Sequence, residues 1–240
     1  ALDAGASFLV TPGFSSKVTE FALEHSLPIF PGIATPTELM MAVEYGLPVV
    51  KFFPAAQYGG LAAIKAMAAP FPSVRFMPTG GVNASNIKEY LACDKVIACG
   101  GSWMVAKDLL AAKDWKKVTD LCREAVRTML GFSLAHVGIN AMNEAEAERT
   151  AALFGRAFGF SVREGGRSVF AGSAVEVMKR PSYGKNGHIA IRTNSVERAV
   201  WHLKRAGVVF REESAVRDEG GRLRAIYLQE EFGGFAVHFI

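Results

Sequence analysis

Val49-Val50-Lys51-Phe52-Phe53-Pro54-Ala55 places one ammonium group inside an otherwise apolar, β-type run. Desolvating a charge costs several kcal/mol unless it is paired or neutralised. A lysine escapes that cost by losing its proton, and the neutral amine is a nucleophile toward carbonyl carbon. The run therefore reads as a strand that carries Schiff-base chemistry. The alternative is a strand-end lysine whose stem lies on apolar surface while its head reaches water; the surroundings of the run favour the nucleophile.

Working outward, the first half alternates short β-like runs with helical stretches, the βα pattern of a parallel sheet or barrel. The spacing predicts strands at Phe8–Thr11, Pro28–Pro31, Val49–Phe53, Val74–Pro78 and Val96–Cys99. Turns with Pro or Gly follow them: Thr11-Pro12-Gly13, Pro31-Gly32, Phe53-Pro54, Pro78-Thr79-Gly80-Gly81 and Gly100-Gly101. Proline ends strand pairing and glycine admits a close ligand or backbone. Such turns at successive strand ends outline the face on which barrel enzymes keep their sites. Trp115, Val118, Leu121, Cys122, Ala125, Val126 and Met129 recur at helical spacing, which predicts a core-packing helix over 114–130, with Asp114 as N-cap and Gly131 past its end.

Half of the 240 residues are hydrophobic and 21% are charged, which describes a soluble chain with ample core. Residues 1–130 hold 12 basic against 11 acidic side chains, and the remainder 15 against 12, so no basic half or dense basic run points to nucleic acid. Cys93, Cys99 and Cys122 form no metal-type spacing or disulfide framework, so a reducing cytoplasm is the expected compartment. No membrane span or signal peptide is read. Ala1-Leu2-Asp3-Ala4-Gly5-Ala6 resembles the end of a helix already under way, so a preceding segment is expected.

After a short junction at Phe132-Ser133 the pattern becomes an internal repeat. His136-Val137-Gly138-Ile139-Asn140 opens one unit, and His188-Ile189-Ala190-Ile191-Arg192 opens another 52 residues later. Each continues into a helical stretch, a glycine and further β-runs. A duplicated βαβββ unit is the economical reading. The expected domains are 1–131 and 132–240.

Five strings in the first half, in order, resemble the 2-dehydro-3-deoxy-6-phosphogluconate aldolase family, which also acts on 4-hydroxy-2-oxoglutarate. They are Ala4-Gly5-Ala6 through Pro12-Gly13; Pro31-Gly32-Ile33-Ala34-Thr35-Pro36-Thr37-Glu38; Lys51-Phe52-Phe53-Pro54-Ala55; Arg75-Phe76-Met77-Pro78-Thr79-Gly80-Gly81; and Gly100-Gly101-Ser102-Trp103. The resemblance implies an α/β fold, a partial TIM barrel made of strands four to eight of eight. It implies a class I aldolase that needs no cofactor, with Lys51 as the imine-forming residue, Pro12 and Phe53 walling the pyruvyl group, and Thr79 offering its hydroxyl. Gly80, Gly81, Gly100, Gly101 and Ser102 would cradle a phosphate on bare N–H groups; tight βα turns are the other reading of the same glycines. The family's proton-transferring glutamate, and the arginine and threonine that hold the pyruvate carboxylate, belong to earlier strands that this sequence does not supply. The chain is therefore expected to be part of a longer aldolase: imine formation could survive, while turnover falls by the factor of about 10²–10⁴ usual for a lost proton-transfer group. The resemblance also implies a cytoplasmic homotrimer of the Entner–Doudoroff pathway, with a 2-keto-3-deoxy sugar acid and pyruvate as small-molecule partners and no nucleic acid or membrane.

Residues 133–240 resemble the vicinal oxygen chelate superfamily, which includes glyoxalase I, through the paired His-x-x-Ile strand starts and the βαβββ duplication. That fold can hold a divalent metal, and the matching positions are His136, Glu176, His188 and His238. His238 stands where the pattern usually has Glu. The set suits Zn²⁺, Ni²⁺ or Fe²⁺, and a metal-free domain is the alternative. Besides aldol cleavage at Lys51, two further readings remain open: a metal-dependent isomerase, lyase or dioxygenase at the second cluster, or a module that binds a small ligand.

Overall fold

The computed structural model describes residues 1–240 and divides into two compact units, Ala1–Met129 and Leu130–Ile240. The boundary lies two residues before the expected 131/132 junction. Leu130 is claimed by the second unit, because its carbonyl accepts Thr193 Oγ1 (2.6 Å) and Asn194 N (2.9 Å). No helix is long and apolar enough to cross a membrane.

The first unit runs β1 (Leu9–Val10), α1 (Ser16–Glu24), β2 (Ile29–Phe30), β3 (Gly32–Ile33), α2 (Pro36–Glu44), β4 (Val49–Phe52), α3 (Gly60–Ala68), β5 (Arg75–Pro78), α4 (Ile87–Ala92) and α5 (Lys107–Ala111). All but the last residue of α6 (Trp115–Leu130) also belongs to it, and the first turn of that helix is capped by Asp114 Oδ1 accepting from Lys117 N. Every strand pair is parallel: β1 with β2, and β3-β4-β5 as a three-stranded sheet.

The expected strand Pro28–Pro31 continues through Gly32 and Ile33, where a turn was predicted. Pro31 lacks an N–H, so pairing with β1 stops there; its carbonyl accepts Lys51 N (2.8 Å), and the chain passes over to β4. Val96–Cys99 does not form the predicted strand. Val96 N turns back to Cys93 O (2.9 Å), while Ile97 N donates to Phe76 O (3.1 Å) and Gly100 N to Pro78 O (3.0 Å) on β5, leaving isolated bridges at Val96 and Gly100.

Along β4 the side chains alternate. Val50 and Phe52 are fully buried with Leu39, Ile64, Val74 and Phe76 in the main core, and Val49 and Lys51 face the other way. Helix α2 is entered through a capping box. Thr35 Oγ1 accepts from Glu38 N (3.3 Å), and Glu38 Oε2 accepts from Thr35 N (2.9 Å), Ala34 N (2.8 Å) and Thr35 Oγ1 (2.9 Å).

The second unit runs β6 (Ser133–Asn140), α7 (Glu144–Phe158), β7 (Val162–Glu164), β8 (Ser168–Ala171), β9 (Val175–Met178), β10 (Gly187–Arg192), α8 (Val196–Arg205), β11 (Phe210–Arg217), β12 (Leu223–Phe232) and β13 (Phe235–Phe239). One eight-stranded sheet takes the order β11-β12-β13-β10-β6-β9-β8-β7, with β6–β9 and β10–β13 parallel and the remaining pairs antiparallel. Ala147 and Ala151 of α7 pack on Val169, Ala171 and Val177. Their small size brings the helix close to the sheet.

Candidate active site and candidate metal centre

In the first unit, register gathers the candidate residues on one face. Lys51 stands opposite Gly32 on β3 and Met77 on β5. By the two-residue period Phe53 and Thr79 share that face. Lys51 Nζ lies 4.5 Å from the centre of the Phe53 ring and pairs with no carboxylate. Burial without a partner holds its amine below the usual lysine range.

Pro12 arrives by close backbone approach. A Cβ on Gly32 would lie 2.2 Å from Pro12 O and 2.7 Å from Gly13 N, so only glycine admits the Thr11–Gly13 turn there. Thr11 Oγ1 fixes that turn, donating to Gly13 O (2.7 Å) and accepting from Gly32 N (3.3 Å). Thr11 and Gly32 were not singled out by the sequence. The string Pro31-Gly32 was the available signal, and it was read as a turn.

Thr79 Oγ1 is buried without a hydrogen-bond partner. A buried hydroxyl left unpaired is unfavourable in the chain alone and has spare capacity for a ligand. Thr79 N donates to Phe52 O (3.0 Å), and its carbonyl accepts from Ala55 N (2.8 Å), which sets the hydroxyl at the end of the sheet.

The glycine loops lie against one another. Thr79 bridges to Gly100, and a Cβ on Gly101 would meet Val82 O at 2.9 Å. Gly81, Gly101 and Ser102 donate no N–H within the chain, whereas Gly100 spends its N–H on Pro78 O (3.0 Å). Gly100 is therefore corrected from a phosphate donor to a packing position, since its Cβ would also strike Thr79 Cγ2 at 2.5 Å.

In the second unit four strands present their side chains to a common point. His136 Nε2 and His188 Nε2 are 3.2 Å apart, and each lies 3.1 Å from Glu176 Oε2. The near-equilateral triangle has edges between the ligand–ligand spacings of roughly 3.0 Å and 3.4 Å that octahedral and tetrahedral sites with bonds of about 2.1 Å require. The ligand atoms of His136, His188 and His238 lie within 4.8 Å of one another, and the buried His238 Nε2 has no partner. Three imidazoles, one of them with an orphaned buried nitrogen, and one carboxylate fit a divalent cation.

Burial opposes the charge on Glu176, but bonds from His136, His188 and Ser168 hold its carboxyl well below the usual range. Burial, and then the neighbouring His188 and His136, push His238 down to about 4, so it is neutral and ligand-competent at pH 7. Tyr227 stacks on His238 (4.5 Å between centroids, 15° between planes). Burial and the Glu176 charge push its phenol up to about 12.

The ladder explains how three rings fit. His136 faces Ala190, which in turn faces His238; His188 faces Gly138 on one side and Ala236 on the other. Ser168, Gly138 and Tyr227 were missed in the sequence. The signal for Gly138 was present, because each repeat carries a small residue two positions after its histidine, Gly138 and Ala190.

A family model described as KDPG and KHG aldolase matches residues 1–121. A 2-dehydro-3-deoxy-phosphogluconate aldolase of Treponema pallidum is 49% identical over 124 residues, covering 52% of this chain and 59% of the relative. The KHG/KDPG aldolase of Escherichia coli K12 is 47% identical over 124 residues, covering 52% and 58%. Among solved structures, the KDPG aldolase of Legionella pneumophila, with pyruvate captured as a covalent carbinolamine intermediate, is 39% identical with a TM-score of 0.49, covering 50% of this chain and 59% of that one. The chain thus spans less than two thirds of the length of these relatives.

Proposed function

The chain belongs to the KDPG and KHG aldolase family, and from that premise we propose that its first unit supplies the nucleophile and the substrate-holding loops of a class I aldolase. The substrate is 2-dehydro-3-deoxy-6-phosphogluconate or 4-hydroxy-2-oxoglutarate, the compounds for which its relatives are named. The observation that carries the reading is Lys51: an amine held below its usual pKa by burial, without a carboxylate partner, on the strand face it shares with Phe53 and Thr79.

Its neutral form attacks the C2 carbonyl of the 2-oxo acid and, with one proton taken up from solvent, water leaves, giving an iminium. The C4 hydroxyl gives its proton to solvent as the electrons of the C3–C4 bond flow into that iminium and the aldehyde departs, and hydrolysis of the resulting enamine, after protonation at C3, frees pyruvate. Phe53 and Pro12 exclude water from the pyruvyl group, and the unpaired Thr79 hydroxyl is free to bond substrate. The free N–H groups of Gly81, Gly101 and Ser102, beside Gly80, suit a terminal phosphate. No carboxylate stands at Lys51 to move protons, so these residues support imine formation better than turnover. Reductive trapping with pyruvate and borohydride tests the proposal. A carboxyethyl adduct on Lys51 is expected; an adduct elsewhere, or none, overturns it. A homotrimer, implied by the family resemblance, is read by sedimentation.

A second reading rests on the histidine cluster. The repeated strand–helix–three-strand order supports a vicinal oxygen chelate domain, in which His136, Glu176, His188 and His238 would hold a divalent cation. Such an ion supplies Lewis acidity, polarising a ligand oxygen. The residues themselves supply a neutral imidazole at His238 and an ionised carboxylate at Glu176 at neutral pH. Metal content of the purified protein, with His188→Ala as control, tests it: no zinc, nickel or iron above background in the wild type overturns it.

A further inference from the structure

Resting on the second reading, we infer that Gly138 and Ser168 are the positioning residues of the histidine–carboxylate cluster, Gly138 by leaving a space and Ser168 by a hydrogen bond. A Cβ built on Gly138 would fall 2.0 Å from Cε1, 2.3 Å from Nδ1 and 2.4 Å from Nε2 of His188. The imidazole thus lies flat across strand β6 in the volume a side chain would occupy. This is how a residue on β10 reaches Glu176 on β9, with β6 between them. Gly138 does not have positive φ, so an alanine there meets no backbone strain, and the object it strikes is a side-chain ring. The predicted result is a folded sheet with His188 turned out of the cluster.

Ser168 acts on the other partner. Phe170 faces Glu176 directly, and Ser168 lies two residues along β8 on the same side. Its hydroxyl donates to Glu176 Oε1 at 2.6 Å, and Ser168 is only 5% exposed. With Oε1 occupied, the carboxylate is fixed about its terminal torsion and Oε2 is the oxygen left facing the two histidines. A carboxylate torsion is broad when unrestrained, so one buried donor decides which oxygen points inward.

The test has a metal-free arm and a metal arm. Long-range ¹⁵N–¹H spectra of the imidazoles are recorded on the metal-free protein for wild type, Gly138→Ala, Ser168→Ala and Ser168→Thr. Gly138→Ala is expected to move the His188 nitrogens, and Ser168→Ala to perturb the His136 and His188 resonances bonded to Glu176, with Ser168→Thr restoring them. Unchanged spectra in both alanine variants overturn the inference, whatever the metal result. In the second arm zinc(II) is titrated calorimetrically. Each alanine variant is expected to bind about 10- to 100-fold more weakly, the range for lost supports of metal ligands. Gly138→Ala is expected to add no further loss in the His188→Ala background, where no ring remains to be displaced. Equal losses in both backgrounds mean that the alanine damages the strand itself and overturn the Gly138 half. Failure of the wild type to bind zinc, nickel or iron sinks the metal reading separately, and the ring spectra still decide the positioning.

Discussion

Replacing Lys51 by methionine separates a reserved nucleophile from a structural lysine by the sign of the stability change. The ammonium has no carboxylate partner, and its favourable contact is the Phe53 ring at 4.5 Å, worth about 0.5–1 kcal/mol. Against this stands the burial that depresses its pKa; unpaired polar groups in partly buried protein sites cost about 1–3 kcal/mol. Methionine keeps the length of the stem and adds roughly one further buried apolar group, about 0.8 kcal/mol at full burial and less at this half-buried position. The balance favours the variant by about 1 kcal/mol, read as a higher urea midpoint at unchanged slope. A lysine kept for its ion pairing or stem packing would give the opposite sign.

The pH dependence follows from linkage. With the folded pKa below the ordinary 10.5, the unfolded chain binds more protons in the window just under that value, so wild-type stability rises there with pH. The advantage of Lys51→Met should therefore narrow as pH approaches 10.5. A variant less stable than wild type at pH 7, or an advantage that widens with pH, refutes the argument.

Glu38→Ala removes an oxygen that accepts three hydrogen bonds at the start of α2 and should lower stability by about 1–2 kcal/mol, with Glu38→Gln recovering part of it in the same urea titration. Gly32→Ala meets backbone rather than a movable side chain. It should destabilise by about 1–3 kcal/mol and slow pyruvate trapping at Lys51, because the Pro12 wall is pushed away; trapping at the wild-type rate would remove Pro12 from the pocket. Thr79→Val removes a hydroxyl that has no partner in the chain, so the melting temperature should hold or rise while affinity for the 2-oxo acid, measured as the pyruvate concentration for half-maximal trapping, weakens.

What the sequence disclosed depended on whether the signal was local. The β4 run, the Asp114 cap and the paired histidine starts were legible because each rests on residues adjacent in the chain. The passage of one extended segment from β1 to β4 at Pro31 was not, since it depends on which neighbour accepts the next hydrogen bond. Gly100 looked the same as Gly101 in the sequence, yet one N–H is spent on Pro78 O and the other is free. Ser168 was invisible as well. It is eight residues from Glu176, and only the antiparallel register of β8 on β9 brings its hydroxyl to the carboxylate.

Both centres rest on polar groups left without partners, and this makes them separable from packing. Lys51 Nζ, Thr79 Oγ1 and His238 Nε2 are each removed from bulk water, fully or in part, without a hydrogen-bonding partner in the chain. A fold selected for stability alone would fill or pair such positions, because each unpaired group costs free energy that an apolar residue of the same shape would not. Their removal should therefore spare or raise stability while weakening or abolishing ligand capture. Loss of Glu38, whose oxygen is fully engaged, should do the reverse, lowering stability and leaving capture by the remaining folded protein intact. Loss of stability in all three ligand-facing variants together would mean that these atoms serve the fold, and neither centre would stand.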